Sequence, residues 1–145
     1  MQMTITDRPA GCISAVDQER LEDLIERTFS GEQPLNPPAQ AVLHRLRNAG
    51  VIAKPELIPP GLVTMNSTIL LEEEGGERKW EVILVYPEDH DPSESCWSVL
   101  HPVGAALFGM CVGDTVEISV EDGSQARWRI AALPFQPEAK GFLTM

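Results

Sequence analysis

The sequence predicts an α+β fold: a short antiparallel helical hairpin, then an antiparallel sheet of about five strands that carries one short helix. Three observations carry this expectation. Up to Gly50, apolar residues recur every three or four positions. A proline-rich stretch, KPELIPPG, then interrupts the pattern. Beyond it apolar residues alternate with a period of two, except in the segment HPVGAALFGMCVGD at 101–114.

A length of 145 residues suits one ordinary domain, or a domain with a small appendage. With 43% hydrophobic residues the chain can bury a core, which excludes global disorder. The 22 acidic and 11 basic residues leave a net charge of −11. Nucleic-acid phosphates would repel such a surface, so no direct nucleic-acid binding is expected, and a basic patch on a protein fits the sign better. Cys12, Cys96 and Cys111 form an odd set without framework spacing, which points to a reducing compartment. MQMTITDRPAGC holds no apolar stretch of signal-peptide length, and no window reaches the ~20 apolar residues of a membrane span. A soluble cytoplasmic protein is expected.

Residues 1–13 read as a loose arm. In SAVDQERLEDLIERTF, Ser14 and Asp17 resemble a capping box with Asp in place of Glu, and Leu21, Leu24, Ile25 and Phe29 recur at helical spacing. SGEQPLNPP, with its Gly and prolines, breaks that helix. AQAVLHRLRNAG forms a second, with Ala39, Val42, Leu43 and Leu46 on one face, Pro38 in the first turn and Gly50 as the stop. Each helix would be about 22 Å long. Their apolar stripes are expected to face each other rather than a second copy, so the chain should be a monomer. Pro59 and Pro60 forbid helix continuation and set the boundary: 1–58 for arm and hairpin, 59–145 for the second domain.

LVTMNSTILLEEE reads as a strand running into an acidic turn at 72–76. RKWEVILVYPED is its partner, with Trp80, Val82, Leu84 and Tyr86 on one face. Ile83 and Val85 make the other face apolar as well, which marks a central strand. EDHDPSES is a loop and CWSVL a short strand. TVEISV and QARWRIAAL form the last hairpin. Opposed residues share a face, and Val116, Ile118 and Val120 must share theirs with Ala126, Trp128 and Ile130, so paired numbers sum to an even value. A three-residue loop, Asp122-Gly123-Ser124, meets that condition and sets Glu117 opposite Arg129.

Within 101–114, Pro102 suits a first helical turn, and Val103, Ala106, Leu107 and Met110 fall on one stripe. Gly109 and Gly113 end the helix. The middle of the segment is therefore core. His101 and Pro102 sit at a strand-to-helix corner, a place where a rigid support turns side chains outward.

SVLHPVGAALFGMCVGDTVEI resembles the pattern Ser-x-x-Ser-Pro-x-x-x-Ala-Leu-x-Gly-x-x-x-Gly-Asp in the C-terminal domain of the bacterial GreA/GreB transcript-cleavage factors. VTMNS (63–67), LVYPED (84–89), HPVGAALFG (101–109), VGD (112–114) and FQPEA (135–139) are similar to the same family in the same order, over residues 62–145. The short N-terminal part matches a shortened relative within it, the regulator of nucleoside diphosphate kinase. The resemblance implies an FKBP-like C-terminal domain docking on the rim of the RNA polymerase secondary channel, with the hairpin toward the channel. In the cleavage factors, acidic residues at the hairpin tip help hold a catalytic metal. Here the tip TFSGEQPLNP offers only Glu32, and Mg²⁺ prefers several oxygen ligands. The chain is therefore expected to bind polymerase and compete with longer channel-binding factors without stimulating cleavage, to be no enzyme, and to hold no cofactor or metal. Where the cleavage factors resemble Asp-Ser-Pro, this chain has Leu100-His101-Pro102. The expected contacts are Ser98, Leu100, His101, Pro102 and Val103.

Other clusters read as structure. His90, Cys96, His101 and Cys111 match no zinc spacing, and nothing positions a third group beside a Cys/His pair. Glu72-Glu73-Glu74 reads as a solvated turn, and His44 as part of a solvated helix face. Asn66 and Ser67 are suited to satisfying backbone groups near the joint of the two parts. Two alternative functions remain beside polymerase binding: a generic protein-interaction adaptor, and a peptidyl-prolyl isomerase, whose pocket would need a cluster of aromatic walls. Trp80, Trp97 and Trp128 lie far apart in sequence.

Overall fold

The computed structural model describes residues 11–30, 34–119 and 125–142. Two strands that periodicity does not reveal bracket the N-terminal part. β1 (Cys12–Ser14) pairs in parallel with β2 (Val51–Ala53), so Cys12 and Ile13, expected in a loose arm, are buried. Three residues are too few to show a period, and each partner lies beyond both helices. Parallel strands require a crossover, which α1 (Ala15–Thr28) and α2 (Pro37–Arg47) together provide. The Ser14 hydroxyl caps α1 by accepting the Asp17 N–H at 3.4 Å, and the Asn36 side-chain oxygen caps α2 through the Ala39 N–H at 2.8 Å. Pro37 and Pro38 open α2, which ends at Asn48, short of Gly50; the Asn48 amide donates to the His44 carbonyl at 2.8 Å.

The second part holds a five-stranded sheet in the order β5-β4-β3-β7-β6, built from β3 (Thr68–Glu73), β4 (Lys79–Val85), β5 (Cys96–Ser98), β6 (Thr115–Ser119) and β7 (Gln125–Phe135). β4 is interior, with β3 at the centre. The sheet is mixed, which corrects the wholly antiparallel expectation: β5 runs parallel to β4 after the 86–95 loop, with Leu84 beside Trp97. Residues 62–67, expected in the first strand, instead form a turn in which Asn66 adopts φ 69°.

The last hairpin keeps the predicted parity but slides by two residues. Glu117 faces Arg127, and Thr115 faces Arg129. The loop 120–124 lies outside the described residues, as does Glu32 at the helical tip. The slide frees Arg129 to meet Glu72 across β3 at 2.7 Å. Arg127 approaches Glu74 at 3.8 Å, and the Arg78 Nε donates to Glu73 at 3.1 Å. The acidic run is thus met by three arginines, in exposed pairs that contribute little each.

α3 (Pro102–Leu107) packs on the sheet through Val103, Ala105 and Leu107, followed by Phe108. Ala106 and Met110, expected on that stripe, are only partly buried, because the helix stops before a full heptad. One continuous core joins these residues and Ile69, Leu71, Val82, Leu84 and Ile130 to Leu21, Leu24 and Ile25 of α1 and Val42 and Leu46 of α2. α2 packs more closely on α3 than on α1.

The joint between the parts is a polar knot. Ser67 Oγ accepts the Thr64 N–H at 3.2 Å, and the Thr64 hydroxyl donates to Glu138 at 2.7 Å. The Met65 N–H donates to Asp17 Oδ2 at 3.1 Å. Burial pushes the Asp17 carboxyl up to about 6; the Met65 N–H and Arg20 oppose this, and the charge of Glu138 adds to it. A raised carboxyl binds protons in the fold that the unfolded chain has released. Its contribution is therefore full below pH 3.8 and lost as pH rises to about 6. In urea denaturation, the stability of Asp17→Asn minus that of wild type should rise by up to about 3 kcal/mol between pH 4 and 7. A pH-independent difference would show that Asp17 is ordinary.

Candidate functional site

β5 delivers the chain to the start of α3, and the bend between them is fixed from inside. Ser98, buried, accepts the Leu100 N–H on its Oγ at 3.0 Å. His101 is the N-cap of α3: its Nδ1 accepts the Val103 N–H at 3.1 Å. Val103 is buried beneath the first turn. Gly104 lets the helix press onto the preceding backbone; a Cβ there would lie 2.0 Å from the Ser98 carbonyl oxygen. Of the five expected contact residues, Pro102 is therefore the exposed one, Leu100 and His101 are half-buried, and Ser98 and Val103 support the bend from below.

Sequence reasoning missed the aromatic wall of this bend. Trp80 packs against Trp128 and Trp97 with ring centroids 5.6 and 5.8 Å away. Trp97 continues to His101 at 4.9 Å and His90 at 5.7 Å, and the two imidazoles stack at 5.3 Å. Arg78 lies over Trp128, 5.4 Å from the ring centroid. Alternation already sets Trp80 on one face with Val82 and Leu84, and the even-parity rule sets Trp128 on one face with Ile130. Trp97 joins them only through the parallel β4–β5 pairing, which no local signal announces. The indole N–H groups of Trp97 and Trp128 are buried without a hydrogen-bond partner.

The other side of the bend is a shallow apolar groove of about 250 Å³ between α2 and α3. Pro37, Pro38 and Ala41 line one wall, Pro102, Ala105 and Ala106 the other. Arg45 closes its floor, donating through Nη1 to the Ala105 carbonyl and, at 2.7 Å, to that of Phe108. The start of α2 thus lies beside Pro102. A second cleft of about 390 Å³, between α1 and residues 86–89, mixes Arg20, Arg27, Asp23, Glu88 and Asp89. Its Arg27 is already paired with Asp23 at 2.8 Å.

The matched motifs serve mainly as turns. Asp114 accepts the Cys111 N–H at 2.8 Å, and Gly113 takes φ 98°. Gln136, fully buried, donates to the carbonyls of Pro59 and Leu62 at 2.8 and 2.7 Å. Among the described residues no three His, Cys, Asp or Glu side chains converge as a metal would require. Burial, aided by the charges of Asp91, Glu94 and Asp89, pushes the Cys96 thiol up, and burial does the same to Cys12, which suits neither to nucleophilic work. No helix among the described residues is long and apolar enough to cross a membrane.

Comparison with known proteins agrees with this anatomy. The family described as transcription elongation factor, GreA/GreB, C-term, matches residues 58–133. The regulator of nucleoside diphosphate kinase of Escherichia coli K12 is 33% identical over 134 residues, spanning 92% of this chain and 96% of that protein. The transcription elongation factor GreA of Clostridium acetobutylicum is 34% identical over 88 residues, 61% of this chain but 54% of that factor. The solved structure of a prokaryotic transcription elongation factor GreA/GreB from Nitrosomonas europaea shares 38% identity at a TM-score of 0.75, covering 88% of this chain and all of that one. These matches define the class, a transcription-factor-like protein with an elongation-factor C-terminal domain. The chain belongs to the GreA/GreB transcription elongation factor family.

Proposed function

We propose that this chain is a non-catalytic transcription regulator that docks on RNA polymerase at the rim of the secondary channel. In this reading residues 59–145 form an FKBP-like platform. Its bend Leu100-His101-Pro102 makes the contact, and residues 1–58 comprise an N-terminal arm and a stubby helical hairpin. The observation that carries the reading is the exposed Pro102 on a corner whose backbone is fixed by Ser98, His101 and Gly104. Presenting a preformed, rigid bend avoids the ordering cost of binding. The helices argue for competition without cleavage. At 14 and 11 residues they are about 21 and 16 Å long, too short to carry a carboxylate far from the docking point. Any influence on nucleoside diphosphate kinase is then regulatory and indirect.

Co-purification with core polymerase tests the docking. Pro102→Ala should weaken retention roughly threefold to tenfold, and Leu100→Asp by about thirtyfold or more. Leu100 packs against the core, so circular dichroism must confirm that this variant folds. Equal retention of wild type and both variants would place the contact elsewhere, and no retention of any of them at low salt would end the docking reading. On stalled elongation complexes the protein should leave transcript cleavage at its basal rate. The gathering of Trp80, Trp97 and Trp128 gives the isomerase alternative an aromatic wall. A prolyl-peptide assay separates it, with no acceleration expected.

A further inference from the structure

Two imidazoles hold the bend, and both act as acceptors. His101 Nδ1 accepts the Val103 N–H at 3.1 Å, and His90 Nδ1 accepts the Ser98 N–H at 2.9 Å. A backbone N–H can only donate, so each Nδ1 must be unprotonated, leaving both rings neutral with their proton on Nε2. The rings stack at 5.3 Å, tilted by 27°, with Trp97 against both. Protonating either ring would set a donor against a donor. It would release the amide of Val103 in the first turn of α3, or that of Ser98 at the end of β5. It would also place a cation beside a second ring in a half-buried site. The two amides at stake lie on either side of Leu100-His101-Pro102.

We infer that His90 and His101 are positioning residues that keep the polymerase-docking bend in its binding shape only while both are neutral, so that docking weakens on acidification. The inference rests on the docking reading above. The carboxylates of the loop that carries His90, Glu88, Asp89, Asp91 and Glu94, favour a protonated ring by their sign, but none is ion-paired to either histidine. The first turn of α3 carries no acidic or basic residue. From β5 come Trp97 and the Cys96 thiol. In the 86–95 loop, Asp89 and Asp91 flank His90 in sequence, but Asp91 accepts from the Ser93 N–H and hydroxyl at 3.2 and 2.6 Å. No ion pair to either histidine forms among the described residues. Burial holds the His101 imidazole below its usual range, and the neighbouring His90 adds to this. A depressed histidine binds fewer protons folded than unfolded, so its contribution is present at neutral pH and lost as pH falls below about 6.5.

The test follows the ¹⁵N-labelled full chain by NMR from pH 8 to 5. The Ser98 and Val103 amides should titrate with the imidazoles, with the His101 midpoint below its ordinary value. In His101→Asn the side-chain oxygen still accepts the Val103 N–H. That amide should then stop titrating; because His101 lies in the proposed contact, docking of the variant is scored as the ratio of its own affinities at pH 7.5 and 5.5. Affinity for core polymerase should fall several-fold through His101 between pH 7.5 and 5.5 in wild type, short of the roughly tenfold that a histidine of ordinary midpoint, kept neutral in the bound state, would give. The fall should be several-fold smaller in His101→Asn. If that variant misfolds, His90→Asn offers the same readout through Ser98. Amides that stay flat while the histidines titrate, or equal pH dependence in wild type and variant, overturn the inference and leave docking intact. Absence of polymerase binding at every pH removes the docking reading, while the amide titrations still decide whether the histidines hold the bend.

Discussion

Gly104→Ala should destabilise the protein by about 3 kcal/mol or more and lower its melting temperature by roughly 10 °C. Intrinsic propensity predicts the opposite sign, since alanine in a helix is favoured over glycine by up to about 1 kcal/mol. The reason is contact. A Cβ at 104 would meet the Ser98 carbonyl oxygen at 2.0 Å, its carbon at 2.6 Å and Val99 Cα at 2.9 Å. All three are backbone atoms of the segment entering the bend before α3, and no flexible side chain can yield. α3 must lift from the sheet, or the bend must open, and either also displaces Pro102. Thermal unfolding and polymerase retention should therefore fall together. A variant as stable as wild type would show that α3 does not sit this close.

Arg45→Met should cost about 2–4 kcal/mol, read from urea denaturation. Methionine keeps much of the aliphatic stem but no donor. The carbonyls of Ala105 and Phe108, at the unsatisfied end of α3, would both lose the Arg45 guanidinium. Arg45 sits on α2 and its acceptors on α3, so this pair fastens the helical part to the platform. Arg45→Lys, with one compact ammonium in place of a fork, should fall between the two. If the docking bend works independently of the helices, Arg45→Met should retain polymerase far better than Leu100→Asp at a temperature where both are folded.

The elements were legible where they are long and periodic. The Leu21-Leu24-Ile25 stripe, the Val42-Leu46 stripe and the alternation through Val82 and Leu84 each reports burial on one face, and each is buried. The capping signal at Ser14 is also found in the structure, but its partner is not: the Asp17 carboxylate leaves its own helix for the Met65 amide. β1 and β2 were illegible because three residues carry no period. The β6–β7 register failed by two because parity survives any even slide, and only the turn could have chosen between them. The strand-to-helix bend was placed by Pro102, a local signal. His90 and Trp97, which complete it, were not, because their roles depend on a parallel strand pairing and on a loop that folds back over it.

The sequence by itself determined where this chain turns, where it is apolar and which family it joins, since these depend on residues adjacent along the backbone. Tertiary structure alone decided that the helices are fastened to α3 through Arg45, that three distant tryptophans meet, and that two histidines serve as hydrogen-bond acceptors at one corner. The physical reason is the range of the forces. Backbone preference and periodic burial act over a few residues, whereas hydrogen-bond satisfaction and ring packing are settled only when remote segments compete for the same space.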